Sequence, residues 1–296
     1  MNVSWHGIYA DVITHFKPNQ TLDVPATLSH IDKMLEDGVH GIILLGAAGE
    51  NCSLSRHEKS ELLRSAVQHI DGRVPILAGL NEGSAALASA FSEDAQRVGV
   101  DGLVLSIAPN YKPDIEEALA YIRMVANSSK LPIMFNNDSK SCGIDITPSM
   151  FTDLADLPQL VALNETTESV RRFVDLKTAV EDRFMIFCGA DQIIMESFSM
   201  GAVGWISPMV NAYAKENCFL WTLLSNRKYE KALSFYRWYG PLTQLMNKPK
   251  LVQRIKLAVQ EHGYGSELAR APRLPLGGDE REEVLSLIHS SMAIIA

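Results

Sequence analysis

Cysteine is scarce in this chain, and its four copies (Cys52, Cys142, Cys188 and Cys218) stand far apart with no C-x-x-C pair. That spacing excludes a disulfide framework, a zinc ribbon and a dithiol redox motif, and leaves free thiols as expected in a reducing cytosol. Basic runs are also missing: Lys+Arg 27 against Asp+Glu 35 gives a net charge of -8, so nucleic acid is not an expected partner. No apolar run reaches the length of a membrane span. The start, Met1-Asn2-Val3-Ser4-Trp5-His6, lacks the basic and apolar regions of a signal peptide, and a cytoplasmic protein is expected. His6, His15, His40 and His57 have no metal-ligand spacing, so neither a metal nor a cofactor is expected.

What is present is a repeating alternation. Apolar stretches begin with Gly7–Ile13, Gly41–Leu45, Val74–Leu80 and Gly102–Ile107, and continue with Leu131–Asn136, Leu160–Asn164, Phe184–Cys188 and Gly201–Ile206. Each is followed by a longer segment of helical periodicity, one of which opens on Ser55 and Glu58 at the spacing of a capping box. Eight strand–helix units in roughly 220 residues predict an α/β fold, a (β/α)8 TIM barrel. A doubly wound sheet is the alternative, but no G-x-G-x-x-G follows the first strand. After about Ser225 the strand cues stop. Residues 225–296 read as a C-terminal three-helix extension to a barrel spanning 1–224, with helices over Lys228–Met246, Lys250–His262 and Asp279–Ile295.

In such a barrel the chemistry lies at the C-terminal ends of the strands. Those ends carry Gly46-Ala47-Ala48-Gly49-Glu50, Ala108-Pro109-Asn110-Tyr111, Phe135-Asn136-Asn137-Asp138, Asn164-Glu165-Thr166, Gly189-Ala190-Asp191 and Ser207-Pro208. On these residues the chain resembles the dihydrodipicolinate synthase / N-acetylneuraminate lyase family along nearly its whole length. Gly46–Asn51 stands where that family has G-T-T-G-E, Phe135-Asn136 in the place of its Y-N, and Leu163-Asn164-Glu165-Thr166 in the place of its I-K-E-[AS]. Asn136-Asn137, Gly143–Pro148, Arg171-Arg172 and Pro249–Gln253 look most like its 1-pyrroline-4-hydroxy-2-carboxylate deaminase-like subgroup.

The resemblance implies a lyase acting on a small 2-oxo or 2-hydroxy carboxylate, assembled as a homotetramer or homodimer. It also assigns the sixth-strand position to a lysine that forms a Schiff base, and here that position is Asn164. An amide nitrogen has a delocalised lone pair and forms no stable imine. Phe135 stands in the place of a proton-relaying tyrosine and carries no hydroxyl. Ala47 and Ala48 replace a hydroxyl pair, and Asn110 falls where a neighbouring subunit's tyrosine is often contributed. The expectation is therefore a lyase (dehydration, deamination or aldol cleavage) working without the usual Schiff base. The alternative is a catalytically inactive relative that binds a 2-oxo acid or partners an active paralogue.

Candidate catalytic residues are Asn164, Phe135, Glu165 and Lys140, the last where the family often has an arginine at the pocket mouth. Each has a plain reading beside it: a satisfied buried amide for Asn164, packing for Phe135, a structural acceptor for Glu165, a solvated surface amine for Lys140. Asp138 and Asp191 are further acid–base candidates if burial raises a pKa. Candidate substrate-binding residues are Gly46, Ala47, Ala48, Gly49, Asn136 and Asn110. The glycine-rich loop offers backbone N–H groups as a nest for a carboxylate, or is simply a tight turn.

Overall fold

A computed structural model describes residues 3–108, 112–246 and 248–295. Eight strands, β1 (Gly7–Asp11), β2 (Gly41–Leu44), β3 (Ile76–Leu80), β4 (Gly102–Leu105), β5 (Ile133–Asn137), β6 (Leu160–Glu165), β7 (Met185–Cys188) and β8 (Gly204–Ser207), close into a barrel. Every neighbouring pair is parallel, and β1 pairs with β8 to complete the ring. The (β/α)8 architecture expected from the alternation is the one observed.

The helices are α1 (Val24–Glu36), α2 (Arg56–Ile70), α3 (Ala85–Val98), α4 (Ile115–Ser128), α5 (Ser139–Cys142), α6 (Pro148–Thr152), α7 (Val170–Val180), α8 (Ile194–Ser199) and α9 (Val210–Ser225). Beyond them come α10 (Tyr229–Met246), α11 (Leu251–Glu261) and α12 (Gly278–Ile295). Their starts follow from local chemistry. Ser55 and Glu58 form the full reciprocal capping box on α2, and Asp114 with Glu117 does the same on α4, so otherwise orphaned N–H groups are satisfied. None of the described helices is long and apolar enough to cross a membrane.

Two apolar layers hold the barrel. The larger lies between strands and helices and takes in Phe135, Phe151, Phe173 and Trp205. The smaller fills the barrel interior, where Tyr9, Ile43, Leu77, Val104, Met134, Ala162, Phe187 and Ile206 meet. Tyr9 and Phe187 cross there edge to face at 5.4 Å. Side chains on a strand alternate faces, so residues two positions beyond this layer also point inward. On β1, and on or just past β2 to β6, those residues are Asp11, Leu45, Gly79, Ser106, Asn136 and Asn164. Strand parity alone thus carries the floor of apolar packing up into a polar ring at the C-terminal rim.

Register refines this ring. Along β5 and β6, Ile133 pairs with Leu160 but Met134 pairs with Ala162, so one extra residue, Val161, is accommodated in β6. That irregularity sets Asn136 directly opposite Asn164.

Candidate active site

The polar ring surrounds a cavity of about 120 Å³ at the C-terminal ends of the strands. Its walls include Asp11, Gly46, Ala47, Asn51, Asn81, Ser106, Asn136, Asp138, Ser141, Cys142 and Asn164, closed from below by Ile43, Val104 and Ile206. No lysine, arginine or histidine is among its described lining residues.

Asn164 is 5% exposed. Its Nδ2 donates to Asn136 Oδ1 at 2.8 Å, and Asn136 Nδ2 donates in turn to Ser106 Oγ at 3.2 Å. The two amides and the serine form a chain across three strands, and Asn164 Oδ1 is left without a partner among the described residues. Phe135 does not line this cavity. It faces the helices, edge to face with Phe151 at 6.1 Å, and its neighbour Asn136 takes the inward position opposite Asn164.

The glycine-rich loop stands against Asp11. Ala48 N–H donates to Asp11 Oδ2 at 3.1 Å, so a donor expected for a ligand's carboxylate is used by the protein's own. Gly46 is required there, since a Cβ on it would lie 2.0 Å from Asp11 Oδ1. Leu45 and Glu50 bracket the loop with φ of 60° and 56°, left-handed values that non-glycine residues adopt at a cost. Gly49 offers its carbonyl to Thr14 Oγ1 at 2.7 Å and packs away from the cavity.

Asp11 keeps partial solvent contact as a residue, but its Oδ1 is shut off from water and has no hydrogen-bond partner among the described residues. That desolvation penalises the charged form and pushes the carboxyl up from 3.8 to about 7, against the lowering effect of the Ala48 N–H. A carboxyl titrating near neutrality is what general acid–base chemistry uses. Sequence reasoning did not single out Asp11. The signal was the same one that drew attention to Asn164: a polar side chain ending an apolar run, Gly7-Ile8-Tyr9-Ala10-Asp11.

The remaining candidates lie elsewhere. Glu165 is buried and accepts from Asn137 Nδ2 at 3.0 Å, Thr167 N at 3.0 Å and Arg172 Nε at 3.2 Å. It ties β5, β6 and α7 together rather than lining the cavity. Lys140 is exposed and paired with Glu168, while Ser141 and Cys142 on the same short helix reach the cavity wall. Asp138 caps that helix through Ser141 N and also lines the cavity. Burial raises Asp191 to about 6, but its Oδ1 is held by Trp205 Nε1 at 2.8 Å outside the barrel interior. Desolvation pushes the Cys188 thiol up to about 12 and raises Cys142 as well, so neither is a ready thiolate. Asn110 lies outside the described residues. No group of His, Cys, Asp and Glu able to hold a metal occurs among the described residues.

A buried ion pair fixes the loop from behind. Lys256 on α11 and Glu50 are both fully buried, with Nζ 2.6 Å from Oε1, and Lys256 also donates to the carbonyls of Thr14 and Leu268 at 2.7 Å each. Glu50 Oε2 accepts from Arg270 N at 3.1 Å and Arg273 Nη1 at 3.3 Å. Arg270 adds two bonds to Glu58 in the first turn of α2. Burial lowers the Lys256 amine to about 8 in spite of Glu50, yet its three donors are all spent and it does not line the cavity. The C-terminal helices therefore serve the site by locking the turn that follows β2.

Known proteins share this fold. Residues 4–291 match the model of the dihydrodipicolinate synthetase family. The 4-hydroxy-tetrahydrodipicolinate synthase of Oenococcus oeni is 26% identical over 278 residues, covering 94% of this chain and 95% of that protein. Among solved structures, YagE of Escherichia coli K12, a prophage protein of the dihydrodipicolinic acid synthase family crystallised with pyruvate, superposes with a TM-score of 0.92. It is 27% identical over 98% of this chain and 99% of its own. The 4-hydroxy-tetrahydrodipicolinate synthase of Methylacidiphilum fumariolicum SolV gives the same TM-score at 27% identity, covering 99% and 98%. With a family match along nearly all of its length and a closed barrel whose strand ends enclose a polar cavity, this chain belongs to the dihydrodipicolinate synthetase family.

Proposed function

We propose that the protein is a lyase that acts on a small 2-oxo or 2-hydroxy carboxylate without forming an imine, and that Asp11 moves the proton. One observation carries this reading: the cavity at the strand ends has no amine among its described lining residues to serve as nucleophile, but holds a desolvated carboxyl titrating at about 7. As carboxylate, Asp11 takes a proton from the carbon beside the substrate's carbonyl or carboxylate. As acid, it returns that proton to the oxygen or nitrogen whose bond to carbon breaks; in an aldol cleavage it takes the proton of the hydroxyl beside the breaking bond instead and returns it to the α-carbon released. Electrons stay within the substrate, and Asp11 ends as it began. Asn164 and Asn136, neither of which titrates, orient the substrate through hydrogen bonds. That YagE was crystallised with pyruvate supports a three-carbon acid as the size of the ligand, and a cavity of about 120 Å³ accommodates one.

The test is trapping followed by turnover. Incubation with pyruvate and borohydride is expected to leave the mass of the protein unchanged, whereas a covalent adduct would overturn the imine-free reading. A panel of small 2-oxo and 2-hydroxy acids followed by NMR is expected to reveal turnover that drops about 10²- to 10⁴-fold in Asp11→Asn. The second reading is a silent ligand-binding relative, favoured by the Asn136–Asn164 amide pair; it predicts binding across the panel with no turnover of any member.

A further inference from the structure

Four oxygens in the cavity stand without a partner among the described residues. Asp11 Oδ1, Asn51 Oδ1, Asn81 Oδ1 and Asn164 Oδ1 are buried oxygens without a hydrogen-bond partner among the described residues, and all four side chains line this one space. Asn51 is 4% exposed, and its orientation is settled. Its Nδ2 donates to the carbonyls of Leu45 at 2.8 Å and Gly79 at 3.0 Å, which fixes the amide oxygen on the other side. Asn164 Nδ2 faces Asn136 Oδ1. Neither nearby amine answers these oxygens, because Lys140 is paired with Glu168 and Lys256 with Glu50. Buried polar atoms are paired in native proteins as a rule, by protein groups, ordered water or a ligand, so lone acceptors gathered in one cavity suit a ligand that donates.

We propose that the ligand of this cavity carries a protonated primary amine, which donates to Asp11 and to two of the amide oxygens of Asn51, Asn81 and Asn164. The inference rests on the lyase reading above for the place of the site and departs from it in the ligand: the cavity prefers a 2-amino acid to the 2-oxo or 2-hydroxy acid of the same skeleton. An ammonium brings three donors and a positive charge to a ring of acceptors that contains one carboxyl. A hydroxyl brings one donor and no charge. An oxo group brings only lone pairs, which would face the lone pairs already there. The nest of the glycine-rich loop does not reverse this order, because its Ala48 N–H is engaged by Asp11. Size agrees as well: a cavity of about 120 Å³ has room for several waters, or for a small acid of about six heavy atoms.

Alanine, lactate and pyruvate share one three-carbon acid skeleton and differ at the second carbon by ammonium, hydroxyl and oxo. Calorimetric titration of the full-length protein at pH 8 with L- and D-alanine, lactate and pyruvate is expected to rank one alanine enantiomer at least about tenfold tighter than pyruvate, with lactate between. Asp11→Asn is expected to weaken alanine about tenfold or more and to leave pyruvate equal or tighter. The ranking on the unaltered protein needs no variant to fold. Pyruvate or lactate binding as tightly as alanine, or no alanine binding at about 10 mM, would overturn the proposal. These outcomes are read from binding alone. A pyruvate–borohydride adduct would instead defeat the imine-free mechanism, and a fully active Asp11→Asn protein would defeat Asp11 as proton carrier, while either leaves the ligand ranking standing.

Discussion

Asp11→Asn should stabilise this protein, and by an amount that depends on pH. In the folded chain the Asp11 carboxyl titrates at about 7 instead of 3.8 because burial disfavours its charge. Between those two values the folded state holds a proton that the unfolded state has released. Stability therefore falls as pH rises through that window, and the full cost is present above pH 7. The displacement corresponds to about 4 kcal/mol at the upper limit, and partial solvent contact brings the expected range to about 2–4 kcal/mol. Asparagine has the same shape, keeps an oxygen for Ala48 N–H, and removes the charge. At pH 8 it should raise the melting temperature by roughly 3–6 °C, while near pH 4 it should change almost nothing. Asp11→Ala provides the contrast, since it removes the charge but leaves Ala48 N–H unpaired, and its gain should be smaller. Urea melts of the three proteins from pH 4 to pH 9 measure this. A stability difference between the parent and Asp11→Asn that does not vary with pH, or an asparagine variant less stable at pH 8, would refute the assignment of a desolvated carboxyl at the cavity.

Two further substitutions probe how the loop is held. Lys256→Met leaves Glu50 buried beside only Arg273 and a backbone N–H, and should cost about 3–5 kcal/mol in chemical denaturation. Adding Glu50→Gln should recover more than half of that, and a single variant close to the parent would show that the pair does not hold the turn. Gly79→Ala places a Cβ 2.0 Å from the Leu45 carbonyl oxygen, the same oxygen that orients Asn51, so about 1–3 kcal/mol of stability should be lost. Ligand affinity should fall with it, and unchanged melting and binding would refute the close approach.

Much of the fold was legible because its signals are local. Ser55 and Glu58 announce a helix start through atoms within one turn of each other, and the reciprocal capping box is present. Apolar runs ending at Leu45, Leu80 and Ile107 mark strands buried on both faces, which end at Leu44, Leu80 and Leu105, and the C-terminal helices begin and end within two residues of their expected bounds. The position of Asn164 at the rim was legible for the same reason: an apolar strand stops at a polar residue. The site around it was not. Phe135 and Asn136 are adjacent in sequence and so lie on opposite faces of β5, but only the closed barrel decides which face is the interior, and only the pairing of β5 with β6, shifted by one residue at Val161, sets Asn136 opposite Asn164. Lys140 is near the pocket in sequence terms, yet Glu168 holds it in solvent.

The sequence by itself determined a (β/α)8 barrel and an amide, not an amine, at the end of the sixth strand, since periodicity and residue identity need no partner to be read. Tertiary structure alone decided that Asp11, at the first strand, meets the loop after the second and gains a pKa near neutrality. It also decided that Lys256, 206 residues from Glu50 along the chain, locks that loop in place. Desolvation and ion pairing belong to what surrounds a side chain, and in a closed barrel the surroundings are set by strands far apart in sequence.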